Sequence, residues 1–145
     1  VVAPILGNLG TPRLLGPVGA GQKTKVVNQV LIAGIMGGLA EAFALATEQG
    51  LDLEATYDVA SGGMAASNLL TFAWPRLIAG DLAPGFKIDH LIKDLNLALD
   101  AAEHEGLDLE ATRTVIAGYH RAAAAVGGDK GTQALLHGVR RTASK

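Results

Sequence analysis

The sequence predicts an all-α fold: a bundle of about six helices around one long central helix, preceded by an extended N-terminal arm. Three observations carry this. Apolar residues make up 49% of the chain while aromatics supply only 4%, and much of the apolar content is Ala and Leu, both strong helix formers. From about residue 22 onward the apolar positions fall at helical spacing, and no convincing strand pattern appears after residue 18. The length of 145 residues suits one domain, long enough to bury an aliphatic core without cross-links.

Residues 1–18 differ from the remainder. Gly7, Gly10, Pro12, Gly16 and Pro17 punctuate short apolar pieces, which argues against helix and for an extended arm with a short strand near Arg13–Leu15. Residues 19–145 form the helical domain. A first helix runs from Gln22 to about Gln49, with apolar residues over most of its circumference, and Gly50 stops it. Such a helix belongs at the centre of a bundle or in an oligomer interface, where close approach of a neighbour offsets the helical cost of Gly34, Gly37 and Gly38.

The segment Gly50-Leu51-Asp52-Leu53-Glu54-Ala55-Thr56 recurs as Gly106-Leu107-Asp108-Leu109-Glu110-Ala111-Thr112. Each copy reads as a helix stop, a turn, an Asp near an N-cap and a new helix. Two similar corners are the preferred reading over an ancient duplication, and two copies do not make a solenoid. Between them lie a helix over Ala66–Ile78, which Pro75 must distort or interrupt, and a helix from Ile88 to about Glu105 with Ile88, Leu91, Ile92, Leu95, Leu99 and Ala102 on one face. Leu109–Val126 follows, closed by Gly127-Gly128, and a short helix over about Thr132–Arg141 ends the chain.

Charge and composition exclude several classes of function. A net charge of −2 and a pI near 6.1 give no electrostatic reason to expect nucleic acid, and the basic cluster Arg140, Arg141 and Lys145 reads as a solvated tail. Without cysteine there is neither a disulfide frame nor a Cys-based zinc site, which permits a cytoplasmic protein. His90, His104, His120 and His137 show no His-x-x-x-His spacing, so no metal site is expected. The apolar run from Val30 to Leu39 is too short to span a membrane, and the N-terminus lacks the basic region of a signal peptide. The opening on Val1-Val2-Ala3-Pro4, without Met, fits either Met removal or a piece of a longer polypeptide.

The chemically informative segment runs from Gly16 to Gln29. Glycines end the arm and a helix begins at once, presenting free N–H groups and a positive dipole end to an anion such as a carboxylate. Lys25 lies about one turn in, with Asn28 and Gln29 at i+3 and i+4 on the same face. An ammonium with two amides beside it can bind an oxygen-rich substrate and move a proton. Three readings of the local pattern compete. A phosphate loop fails because Gln22 separates Gly21 from Lys23-Thr24, and a dinucleotide fingerprint lacks its third glycine. The third is a Gly-rich linker followed by a helix with a solvated lysine.

The arrangement Gly19-x-Gly21-x-x-x-Lys25 followed by a side-chain amide resembles the catalytic-lysine signature of the β-hydroxyacid dehydrogenase family. That family includes 3-hydroxyisobutyrate dehydrogenase, tartronate semialdehyde reductase and, more distantly, 6-phosphogluconate dehydrogenase. The usual Asn lies four residues after the lysine, where this chain has Gln29, with Asn28 one earlier; Lys-x-x-Asn-Gln is similar to the tartronate semialdehyde reductase variant. Phe86-Lys87-Ile88-Asp89-His90-Leu91-Ile92-Lys93-Asp94-Leu95 is similar to a second family segment, and Ser61-Gly62-Gly63 resembles a family loop.

The resemblance covers nearly the whole chain. It implies a two-domain enzyme whose N-terminal Rossmann domain binds NAD or NADP, with the arm as that domain's last strand region and the helical domain supplying dimer contacts. It implies reversible hydride transfer between a 3-hydroxyacid and its semialdehyde. Lys25 would be general acid in reduction and base in oxidation, best served by burial that lowers its pKa. Gly21 with Asn28 or Gln29 would hold substrate, and Phe86 and Lys93 would lie beside the cofactor. The competing class is a non-catalytic helical dimerisation module, since no Rossmann glycine loop is present in the chain.

Overall fold

The computed structural model describes residues 2–139. It contains α1 (Ala3–Leu6), α2 (Ala20–Glu48), α3 (Leu53–Ser61), α4 (Asn68–Ile78), α5 (Ile88–His104) and α6 (Glu110–Val126), then a 3₁₀ turn (Thr132–Leu135) leading into α7 (Leu136–Val139). The all-α expectation holds: among the described residues there is no strand, only an isolated antiparallel bridge between Lys87 and Gly131. The basic cluster Arg140, Arg141 and Lys145, and the end of the expected last helix, lie outside the described residues.

α2 is the axis of the bundle and touches α3, α4, α5, α6, α7 and the 3₁₀ turn. Its Ala33, Met36, Ala40 and Phe43 repeat every three or four residues and are buried. They meet Trp74 of α4, Leu91 and Leu95 of α5, and Ile116 and Tyr119 of α6 in one core. Burying a side chain of this size stabilises the fold by about 1.5–3 kcal/mol before entropy is counted. Phe43 and Trp74 pack edge to face with centroids 5.0 Å apart, and the Trp74 indole N–H donates to the Leu53 carbonyl at 2.8 Å, tying α4 to α3.

The opposite face of α2 is bare. Val27, Leu31, Ile35 and Leu45 are 42–60% exposed. The three glycines divide between the two environments. A Cβ on Gly37 would stand 2.8 Å from Val115 Cγ2 of α6, whereas Gly34 and Gly38 have no atom within 4 Å of that position. Gly37 therefore serves packing inside the bundle, and the other two open outward. As a whole, α2 is long and apolar enough to cross a membrane by length and composition, although its apolar run from Val30 to Leu39 is not. Its buried stripe is nevertheless a structural part of the bundle core.

The two repeated corners stop their helices in the same way. Gly50 (φ 66°) and Gly106 (φ 69°) adopt left-handed backbone, and the next residue's N–H reaches back across the turn: Leu51 to Ala46 O at 3.0 Å, Leu107 to Ala102 O at 2.9 Å. They differ at the restart. Asp52 caps α3, accepting from the N–H groups of Glu54 and Ala55 at 3.0 Å each. Asp108 does not cap α6, which begins at Glu110 with no side-chain cap; its carboxylate pairs with Arg113 instead. The two copies part in sequence at the residue involved: five residues after the Asp, the first has Tyr57 and the second has Arg113.

Two further expectations are corrected. Pro75 does not interrupt α4, which runs continuously from Asn68, capped by the Ser67 hydroxyl, to Ile78. In the arm, Ala3–Leu6 forms one helical turn where helix was not expected, and Arg13–Leu15 is not a strand. A strand needs a neighbour to satisfy its backbone groups, and the exposed Leu14 and Leu15 show that this segment has no covering layer here.

Candidate active site

Gly19 sits at φ 93°, a backbone that side chains disfavour, and lets the chain turn sharply into α2. The Ala20 N–H donates to Pro17 O and that of Lys23 to Gly19 O, but no side chain caps the helix start. Gly21 is exposed, with nothing within 4 Å of where a Cβ would stand. The N-terminus of α2 is thus open, with its dipole end facing outward.

One turn into α2 lies a cluster shared with α5. Asp94 is its hub. Its Oδ2 accepts from Gln29 Nε2 at 2.9 Å and from Lys25 Nζ at 3.3 Å, and its Oδ1 lies 3.3 Å from Lys93 Nζ. The Lys25 ammonium also stands 5.5 Å from the centroid of the Phe86 ring, within cation–π range. His90 meets the same ring edge-on at 5.9 Å. The fold therefore brings Lys25, Gln29, Phe86 and Lys93 to one mouth between α2 and α5. Asn28 is exposed on α2, whereas Gln29 is 3% exposed with its amide nitrogen committed to Asp94. Ser61 ends α3 and spends its hydroxyl on Asp58 O.

The expected burial of Lys25 is not supplied by this domain, since its side chain is 51% exposed. The reason is geometric: Lys25 lies in the second turn of α2, near the end of that helix, where it meets Asp94 of α5 and the Phe86 ring. Asp94 and His90 are the residues to which sequence reasoning gave no firm place in the site. A signal for Asp94 existed. It is flanked by the core positions Leu91, Ile92 and Leu95, and an acid so placed requires cationic or hydrogen-bonding partners. Among the described residues, no group of three His, Cys, Asp or Glu side chains could hold a metal.

Partial burial pushes the Asp94 carboxyl upward, but the hydrogen bonds from Gln29, Lys25 and Lys93, together with the Lys25 charge, outweigh it and hold Asp94 below its ordinary value. A depressed carboxylate stabilises the fold above its unfolded-state pKa, and that contribution is lost as pH falls through the folded value. The melting temperature is therefore expected to fall on acidification below about pH 4, and Asp94→Asn should flatten part of that fall. Superimposable profiles for the two proteins would remove Asp94 from the acid dependence.

Residues 19–139 match a family model described as NAD-binding of NADP-dependent 3-hydroxyisobutyrate dehydrogenase. A probable 3-hydroxyisobutyrate dehydrogenase-like protein of Arabidopsis thaliana, termed mitochondrial, is 34% identical over 95% of this chain and 41% of its own length. The 2-hydroxy-3-oxopropionate reductase of Escherichia coli strain K12 is 38% identical over 78% of this chain and 39% of its own. The Mycobacterium tuberculosis 3-hydroxyisobutyrate dehydrogenase solved with L-serine superposes with a TM-score of 0.86 at 29% identity, covering 97% of this chain and 50% of that one.

The helical bundle is thus the fold of the matched half of these proteins. The chain belongs to the 3-hydroxyisobutyrate dehydrogenase family. It spans half or less of the length of these relatives.

Proposed function

We propose that this chain is the C-terminal helical domain of an NAD(P)-dependent oxidoreductase that interconverts a 3-hydroxyacid and its semialdehyde, with Lys25 as general acid and base. The observation that carries the reading is the Lys25 ammonium held between Asp94 and the Phe86 ring beside the open start of α2. Residues 1–18 are then the remnant of the preceding dinucleotide-binding domain.

In the reductive direction, a nicotinamide held at this mouth beside Phe86 and Lys93 would supply hydride to the carbonyl carbon. Lys25 Nζ gives a proton to the carbonyl oxygen as negative charge develops there, and in oxidation the neutral amine takes the proton from the hydroxyl. The free N–H groups at the start of α2, including that of Gly21, attract the substrate carboxylate. Asn28 is the amide available to substrate, because Gln29 is buried and bonded to Asp94. Asp94 holds the lysine in place through the 3.3 Å contact of its Oδ2 with Nζ. The exposed Phe86 ring and the 71% exposed Lys93 side chain fit a cofactor approaching the mouth: the ring offers a stacking face, the ammonium a partner for a phosphate.

The chain contains no Gly-x-Gly-x-x-Gly loop to hold a pyrophosphate. The purified 145-residue chain should accordingly show no hydroxyacid oxidation with NAD or NADP above background. Turnover by this chain alone would contradict the division of labour proposed here. A homodimer or higher homo-oligomer through α2 is part of the proposal, supported by the exposed Val27, Leu31, Ile35 and Leu45 on that helix.

A further inference from the structure

We infer that Gln133 is a positioning residue for this site, fixing the loop that presents Phe86 to Lys25; the inference rests on the role proposed for Lys25. Gln133 lies in the 3₁₀ turn, far along the sequence from either site helix, and its side chain is fully buried. Burial of an amide is costly unless its polar groups are used. Here Nε2 donates to two backbone carbonyls of the α4–α5 loop, Asp81 O at 2.9 Å and Ala83 O at 3.1 Å, while the buried Oε1 has no hydrogen-bond partner among the described residues, so it is the donor end alone that grips the loop.

The neighbouring backbone completes the clamp. The Gly131 N–H donates to Leu82 O at 2.9 Å, that of Thr132 to Phe86 O at 3.1 Å, and that of Ile88 to Lys130 O at 2.9 Å. Gly131 must lack a side chain: a Cβ would stand 2.3 Å from Gln133 Oε1 and 2.8 Å from Ala83 O. The segment from Leu82 to Ile88 is therefore gripped on both sides of Phe86. Ala83 O also accepts from Arg76, so the loop is held from α4 as well.

The consequence reaches the reacting group. Lys25 is half exposed on a flexible four-carbon stem, and two contacts confine its ammonium, Asp94 and the Phe86 ring. The ring is fixed only as well as the loop that carries it. With the clamp released, Phe86 moves off and Lys25 samples solvent-facing rotamers, losing the alignment that proton transfer requires.

The test is a double-mutant cycle in the full-length enzyme with Gln133→Met, which keeps the length of the side chain but removes the donor, Phe86→Ala, and both together. We expect kcat to fall by about 10–100-fold in Gln133→Met, and the double variant to be no slower than Phe86→Ala alone, because the two act in series. In parallel, the Lys25 ε-methylene protons should carry a ring-current shift from Phe86 in NMR spectra, and Gln133→Met should abolish it. Losses that multiply, or a retained shift, would overturn the proposal. Should Gln133→Met not fold, Gln133→Asn, which draws the donor back by one methylene, carries the same test. A Lys25→Ala enzyme with normal kcat would sink the general acid–base reading alone, and the ring-current measurement would still decide the clamp.

Discussion

Replacing Lys25 by alanine in the full-length enzyme should lower kcat by about 10²–10⁴, the usual worth of a positioned general acid–base group. Cofactor affinity should change little, since Lys25 faces Asp94 and Phe86 at the start of α2, whereas Lys93 is the more exposed ammonium at 71% against 51%. Lys25→Arg separates charge from proton transfer. It preserves a cation beside Asp94, but guanidinium does not give up its proton near neutral pH. If arginine restored the rate, Lys25 would act only by its charge. Within this chain the Lys25 ammonium meets Asp94 and the Phe86 ring, and its side chain is half open to water. The account therefore expects the opposing surface, contributed by the remainder of the enzyme, to exclude water from the mouth during turnover.

The second large effect concerns assembly. Gly34→Leu and Gly38→Leu should abolish or strongly weaken self-association while leaving the fold of the subunit intact. Neither position has an atom of its own subunit within 4 Å of the added Cβ, and both open onto the face bearing Leu31 and Ile35. Gly37→Leu should behave in the opposite way: the side chain would drive into Val115 on α6 and destabilise the subunit by about 1–3 kcal/mol through overpacking. Sedimentation equilibrium together with thermal melts separates the two effects. If the unmodified chain sediments as a monomer of 14.8 kDa, the α2 face is not a self-association surface. Dimers formed by Gly34→Leu would place the interface elsewhere.

Much of this architecture was legible in the sequence because helices announce themselves locally. The periodic run that became α5, the glycine stops at Gly50 and Gly106, and the closure of α6 at Gly127 each depend on neighbours within one or two turns. What the sequence hid is what depends on tertiary partners. Asp108 has the same local context as Asp52 up to the residue five places on, yet it pairs with the arginine there and does not cap. Spacing put Asn28 and Gln29 on one face with Lys25 but could not show that Gln29 is turned inward onto an acid 65 residues away. The same limit hid which partners Asp94 meets, and it hid the division of Gly34, Gly37 and Gly38 between an internal contact and an open surface.

Chemical rescue tests the central claim most directly. The rate of Lys25→Ala should be measured with a series of small primary amines added to the full-length enzyme. If Lys25 Nζ transfers the proton, the amines should restore part of the lost kcat, and the degree of rescue should follow the amine's pKa for a given size. Deep loss of activity without rescue by any amine, or rescue that tracks amine size alone, would contradict a proton-transfer role for Lys25.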